Sequence, residues 1–201
     1  EVEALVEPVA AVAARHRVRE VRIAQDEAER ARLWKGRKAA FAAMGQISPE
    51  YYVQDGVIPR TQLLKVLADI EALGAEYGLR VANVFHAGDG NLHPLILYDS
   101  RVEGQAEKVE ALGAEIMRHC IAVGGSITGE HGVGLEKRDF MPLMYGPADL
   151  AAMQRLKAVW NPQGLLNPGK IFPTAKSCVE VGRARPYTPH RIERAGLAER
   201  Y

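Results

Sequence analysis

Apolar positions recur along this chain with two spacings, near 3.6 and near 2, and the switches between them mark out its elements. Val2, Leu5, Val6, Val9 and Val12 form an opening amphipathic stripe. Residues 18–23 then alternate apolar with charged side chains, which predicts a half-exposed strand. Residues 26–43 carry helix formers with Leu33, Trp34 and Phe41 on one side, and Gly45 is a suitable stop. The segment 47–59, with its Pro, Gly and aromatic residues, reads as extended. Helical spacing returns over 61–77 through Leu64, Leu67, Ile70 and Leu73, and Gly78 closes it.

Residues 81–85 and 92–98 are strand-like and flank Ala87-Gly88-Asp89-Gly90. Asp-Gly accepts the positive φ angles of a type I′ turn, so a hairpin turning on Asp89 and Gly90 is predicted. A helix over 103–123 should bury Ala106, Val109, Leu112, Met117, Cys120 and Ile121. Residues 124–134 are too glycine-rich for regular structure and predict a loop. Pro147 suits the first turn of a helix running through Met153 and Leu156 to Trp160, and Pro162 ends it. Residues 164–173 read as a short coil or strand. Helices alternating with strands, plus one hairpin, argue for an α+β fold in which helices cover a sheet.

A length of 201 residues suits one large domain or two small ones. The pattern divides it into a domain over 1–174 and a polar tail over 175–201. Lys and Arg number 26 against 25 Asp and Glu, a net charge of +1 that leaves no field for nucleic acid. Apolar runs such as 81–85 and 95–97 are far below the roughly 20 residues of a membrane helix, and no signal-peptide pattern opens the chain. A soluble, cytoplasmic protein is the expectation. Cys120 and Cys178 have neither disulfide nor metal spacing and read as reduced thiols. The chain opens at Glu1 in an amphipathic run, as a fragment beginning in mid-fold would.

The predicted hairpin pairs Gly88 with Asn91, Ala87 with Leu92 and His86 with His93. Directly opposed residues have Cβ atoms about 5 Å apart, from which two imidazoles can converge on one metal ion. Glu130, in a loop free to approach and followed by His131, is the natural third ligand of a two-His-one-carboxylate set. Strand histidines satisfied by backbone or solvent, and a solvated glycine loop, are the plainer readings of the same residues. Arg37 and Lys38 could grip a carboxylate or only solvate a helix face. Lys137 does not follow the glycines at the spacing of a phosphate loop.

Three ordered motifs carry a resemblance beyond this chemistry: His86-Ala-Gly-Asp-Gly-Asn-Leu-His93, Thr128-Gly-Glu-His-Gly-Val-Gly134 and Leu165-Leu-Asn-Pro-Gly-Lys170. Leu33-Trp34 with Arg37, and residues 51–59, fit the same pattern. From about Val2 to Pro173 the chain resembles the C-terminal domain of FAD-linked oxidases, the family of the glycolate oxidase D subunit and of D-lactate and D-2-hydroxyglutarate dehydrogenases. The resemblance implies a ferredoxin-like sandwich, an antiparallel sheet covered by helices, that caps a flavin. It also implies that a separate N-terminal domain holds the FAD, and that the present chain lacks the first strand of its own sheet.

By motif, the resemblance assigns His86, His93 and Glu130 as ligands of a divalent metal, zinc or manganese, and His131 as the active-site histidine. Arg37 matches the arginine that grips the substrate carboxylate, and Asn167 and Lys170 approach the flavin or only terminate the fold. Val53 stands where some relatives have a substrate-binding lysine, and Leu95 where they have an asparagine, which favours a small monocarboxylic 2-hydroxy acid such as glycolate or D-lactate. The implied activity is hydride transfer from that acid to flavin. The implied partners are a FAD-binding domain or subunit and an iron-sulfur subunit of a glycolate oxidase complex, which would bring the chain to the inner membrane peripherally. A non-catalytic interaction module, or a metal-dependent hydrolase using the same ligands, are the competing functions.

Overall fold

In a computed structural model, residues 2–16 and 18–173 are described, and they divide into two compact units with the boundary after Ala42. The expected tail, 175–201, lies outside the described residues.

The first unit holds helices α1 (Val2–Arg15) and α2 (Glu27–Lys38). Asp26 caps α2 by accepting a 2.7 Å hydrogen bond from Glu29 N, and the Glu29 carboxylate accepts one of 2.9 Å from Gln25 N just before the cap, which together fix where the helix starts. Lys35, Arg37 and Lys38 crowd its last turn, where cations suit the helix dipole. The expected helix over 26–43 is therefore two, because Ala39 ends α2 and a short α3 (Ala40–Met44) follows. Residues 18–23 form no strand, and Val18, Val21 and Ile23 are exposed. Alternation selects a face but supplies no ladder partner, and a lone strand cannot satisfy its own backbone.

The second unit is built around β4 (Asn91–Tyr98), which pairs antiparallel on both edges. On one edge lie β1 (Glu50–Val53) and, in line with it, β2 (Gly56–Val57). Glu50 faces Tyr98, Val53 faces Leu95 and Gly56 faces Leu92, one register interrupted at Gln54 and Asp55. The interruption falls opposite Pro94, which has no N–H to give, although Gln54 N still donates to the Pro94 carbonyl at 3.1 Å. On the other edge lies β3 (Arg80–His86). Helices α4 (Leu63–Tyr77) and α5 (Gln105–Ala122) pack on one face, where Val66, Ile70, Leu92, Ile96, Leu112, Ile116 and Met117 make a core shut off from water. Each such side chain contributes about 1.5–3 kcal/mol over its exposed state. Leu64, expected on the buried stripe, is 84% exposed, since α4 turns Val66, Ile70 and Gly74 inward. The short helix α6 (Met141–Met144) and α7 (Pro147–Trp160) complete the unit. The expected α+β sandwich is what forms.

The hairpin differs from expectation in its turn. Its loop is Ala87 to Gly90, so His86 faces Asn91 and His93 faces Val84. A type I′ turn needs positive φ at both central residues, and of these four only Gly90 has it, at 73°. The amides of Asp89 and Gly90 instead both donate to the His86 carbonyl at 3.0 Å. The partner of His86 has moved by two residues, and a two-residue shift preserves the face. The imidazoles are diagonal neighbours on one side of the sheet.

Candidate metal centre

The face of β4 turned away from the core carries Asn91, His93 and Leu95, all buried. Strand parity puts His86 from β3 and Val53 from β1 on that same face, and the interrupted register brings Asp55 opposite His93. The glycine-rich loop reaches this face after α5. Ser126 exchanges backbone hydrogen bonds of 2.8 and 2.9 Å with Val57, which ties the loop to the outer edge of β2. Gly129 then lies so close to the sheet that a Cβ would come within 2.6 Å of Val57 Cγ2 and 3.0 Å of Asn91. Only glycine lets the loop approach this far.

That approach delivers Glu130 between the two histidines. Its Oε1 is 3.6 Å from His86 Nε2 and its Oε2 is 3.5 Å from His93 Nε2. Ligand atoms from all three residues lie within 4.8 Å of one another. Ligands about 2.0–2.2 Å from a tetrahedral cation are separated by about 3.3–3.6 Å, and each histidine stands at about that distance from one Glu130 oxygen, with the three-residue set somewhat wider, within 4.8 Å. The histidine–Glu130 distances are longer than a good N–H···O bond. The rings of His86 and His93 stand 5.6 Å apart and nearly perpendicular, at 85°. The His93 side chain is 5% exposed, whereas those of His86 and Glu130 are 43% and 52% exposed, so one side of the cluster is open to an incoming ligand. The donors are two imidazoles and a carboxylate, the set that zinc and manganese accept, and the residues fit a divalent cation.

Beside this cluster His131 stacks on His93, centroids 5.1 Å apart and planes 16° from parallel. A groove of about 320 Å3 next to it is lined by Val53, His131, Glu136, Lys137 and Lys170, among others. Val53 and Leu95, cross-strand partners, keep this part of the face apolar. At its border Tyr52 donates to Glu136, and burial together with that carboxylate raises the phenol well above its usual range.

The loop's conformation is governed by Asp55, which is fully buried. Its Oδ2 accepts from Thr128 Oγ1 at 2.6 Å and from the amides of Gly129, Glu130 and His131 at 3.0, 3.1 and 2.9 Å. Burial alone would raise this carboxyl, but the hydrogen bonds from Thr128 and the three amides outweigh it and hold the group far below the ordinary carboxylate range. Lys137, also buried, donates to the Asp55 carbonyl at 2.7 Å and stands 3.7 Å from its Oδ2. Burial lowers the Lys137 ammonium, opposed by the Asp55 charge.

The structure thus gathers His86, His93, Glu130 and His131 on one face. Lys170 lines the adjoining groove. Asn167 adopts a left-handed φ of 46°, and Lys157 Nζ donates to the carbonyls of Asn167 and Lys170 at 3.2 and 3.4 Å, fastening the closing segment to α7. Arg37 is exposed on α2 in the first unit. Sequence reasoning missed Asp55 and Lys137. The signal for Asp55 was an acidic residue in the extended run from Val53 to Ile58, between Val53 and the apolar pair Val57 and Ile58.

The pattern of the family described as FAD linked oxidases, C-terminal domain, matches residues 1–171. Among curated proteins, the glycolate oxidase subunit GlcD of Escherichia coli strain K12 is 52% identical over 171 residues, 85% of this chain and 34% of that protein. GlcD of Bacillus subtilis is 38% identical over 152 residues, 76% of this chain and 32% of the relative. A mitochondrial D-lactate dehydrogenase [cytochrome] of Arabidopsis thaliana is 30% identical over 164 residues, 81% and 29% of the two chains. The chain spans about a third of the length of these relatives.

Proposed function

The chain belongs to the family of FAD-linked oxidase C-terminal domains, and from that membership we propose that it is the substrate- and metal-binding part of a FAD-dependent 2-hydroxyacid oxidoreductase. The observation that supports this reading is the convergence of His86, His93 and Glu130, whose ligand atoms lie within 4.8 Å of one another. When bound, a divalent ion there supplies Lewis-acid polarisation of the substrate's hydroxyl, and FAD, held mainly by another domain, supplies the hydride acceptor.

The chain's own residues do the rest. His93, buried and fixed by the stacked His131 ring, and Glu130, fixed by its loop, present their donor atoms without prior rearrangement. His131 accepts the hydroxyl proton as general base, its ring held beside the cluster by stacking on His93. Its exposure beside the groove lets the substrate reach it. Val53 and Leu95 offer no group to a second carboxylate, which supports a small monocarboxylate, glycolate or D-lactate, as the acid oxidised. Arg37 holds its carboxylate, and Asn167 and Lys170 stand toward the flavin, roles that rest on the motif match. The partners in this reading are a FAD-binding domain and an iron-sulfur subunit, with a cytoplasmic location at the inner membrane. Among the described residues no helix is long and apolar enough to cross a membrane.

Metal analysis of the purified chain tests the reading. About one zinc or manganese per chain is expected, with loss in His93→Ala because a site with one of three ligands removed no longer holds its ion. Equal metal content in the two proteins overturns the metal assignment. Mixing with a separately expressed FAD-binding domain should restore dye reduction by glycolate or D-lactate. Association without turnover would instead mark a binding module, and ester cleavage by the chain alone a hydrolase.

A further inference from the structure

One buried acid does more than balance a charge. Asp55 has no exposed surface, yet it lies in a strand interruption and not among the apolar side chains of the core. Four consecutive residues, Thr128, Gly129, Glu130 and His131, donate to its carboxylate, one through a hydroxyl and three through backbone amides. Thr128 Oγ1 in turn accepts from Gly132 N at 2.8 Å, so the same network closes the far side of the loop. Charge-assisted bonds of this kind are short and about twice as strong as neutral ones. A glycine-rich segment has many alternative conformations to lose, and here a single carboxylate selects one. The conformation selected is the one that carries Glu130 to within 3.5–3.6 Å of both histidines and His131 onto the His93 ring.

We propose that Asp55 is a positioning residue, whose buried carboxylate grips the loop at 128–131 and so presets Glu130 and His131 beside His86 and His93. The inference rests on reading these groups as a metal centre. Asp55 contacts none of the proposed ligands' donor atoms and acts through Thr128 and the backbone. Groups that orient metal ligands from the outer shell change affinity by about 10–100-fold when removed, which sets the scale of the effect.

The test uses the 201-residue chain, its Asp55→Asn variant and its Thr128→Val variant. Cobalt(II) is titrated against a competing chelator with its visible absorption as readout, amide exchange is followed at 129–131, and far-UV circular dichroism reports the fold. Asp55→Asn is expected to weaken cobalt at least about tenfold, to alter the cobalt spectrum, and to speed exchange at 129–131 while the core amides of α5 stay protected. Thr128→Val, which removes both hydrogen bonds of the Thr128 hydroxyl, to Asp55 and from Gly132 N, is expected to weaken cobalt about tenfold. It decides the matter if Asp55→Asn does not fold. Unchanged cobalt affinity and spectrum in folded variants overturn the inference, even if their stability falls. A parent chain that takes up no cobalt sinks the metal reading alone. The exchange comparison then decides for Asp55, since equal rates at 129–131 in parent and variant overturn it too.

Discussion

The two faces of β4 are both closed to water, by different physics. Leu92 and Ile96 look into the α4 and α5 layer, where burial needs only apolar area and close packing. Asn91 and His93, on the opposite face of the same strand, are 4% exposed each. They bring polar atoms into the interior, where an unpaired group costs about 1–3 kcal/mol. His93 Nδ1 and Asn91 Oδ1 find no hydrogen-bond partner among the described residues. The core face is held by apolar packing; the other face carries a buried imidazole whose Nε2 is turned to Glu130 Oε2 at 3.5 Å. Stability and chemistry are thus separated by the thickness of one strand.

The largest effects should test that separation from both sides. His93→Ala is expected to lower divalent-metal affinity by more than about 100-fold, beyond the range for outer-shell groups, while leaving the metal-free unfolding midpoint nearly in place. Ile116→Ala, in the fully buried row of α5, should cost about 2–5 kcal/mol of stability through the cavity it leaves. Its folded molecules should still bind one ion. Denaturant unfolding with and without zinc measures both quantities. An Ile116→Ala protein that stays folded and yet loses the metal would break the comparison.

What the sequence disclosed divides along the same line. The core face was largely legible because α5 repeats apolar residues at helical spacing: of the six expected inside, Val109, Leu112, Met117 and Cys120 are buried and Ala106 and Ile121 half-buried, while Ile116, not on the expected stripe, is buried as well. Both histidines were placed on the correct face, since face depends only on parity, but their register was misjudged because loop length depends on the φ of Asp89. Glu130 was legible as a loop acid near a histidine. Its holder was not: Asp55 stands 75 positions away, and no local pattern links a strand interruption to a loop so distant in the chain. The alternating residues 18–23 failed for a related reason, since a pattern cannot report whether a neighbouring strand exists to receive it.

A pH series sharpens the comparison on the polar side. Asp55 has its folded pKa below its ordinary value of 3.8, so its hydrogen bonds stabilise the protein above that pH. That contribution is lost as pH falls from about 4 toward the folded value. The difference in stability between the parent chain and Asp55→Asn isolates it, because every other carboxyl is common to both. The difference should be full at pH 7, where Lys137 faces a neutral residue in the variant, and should narrow steadily below about pH 4. A gap that stays constant between pH 7 and pH 3 would show that the carboxylate's charge is not what grips the loop.

The smallest expected effect lies at Gly56, one residue along from Asp55 and on the opposite face. A Cβ there would stand 2.8 Å from Cys120 Sγ and 3.0 Å from Met117 Cε, so α5 approaches β2 through this glycine. Both neighbours are side-chain atoms, and the end of a methionine moves easily. Gly56→Ala should therefore cost near the lower end for overpacking, about 1 kcal/mol. Cys120→Ala should recover part of that in the double variant, because it removes the nearer of the two obstacles, and a double-mutant cycle of urea midpoints reads the coupling directly. Gly56 and Asp55 adjoin in sequence but serve opposite faces, so neither single nor double variant should change cobalt affinity. Coupling to Cys120 without coupling to the metal is the outcome that two independent faces require; a shift in cobalt affinity on Gly56→Ala would mean that packing beneath the strand reaches through it to the loop above.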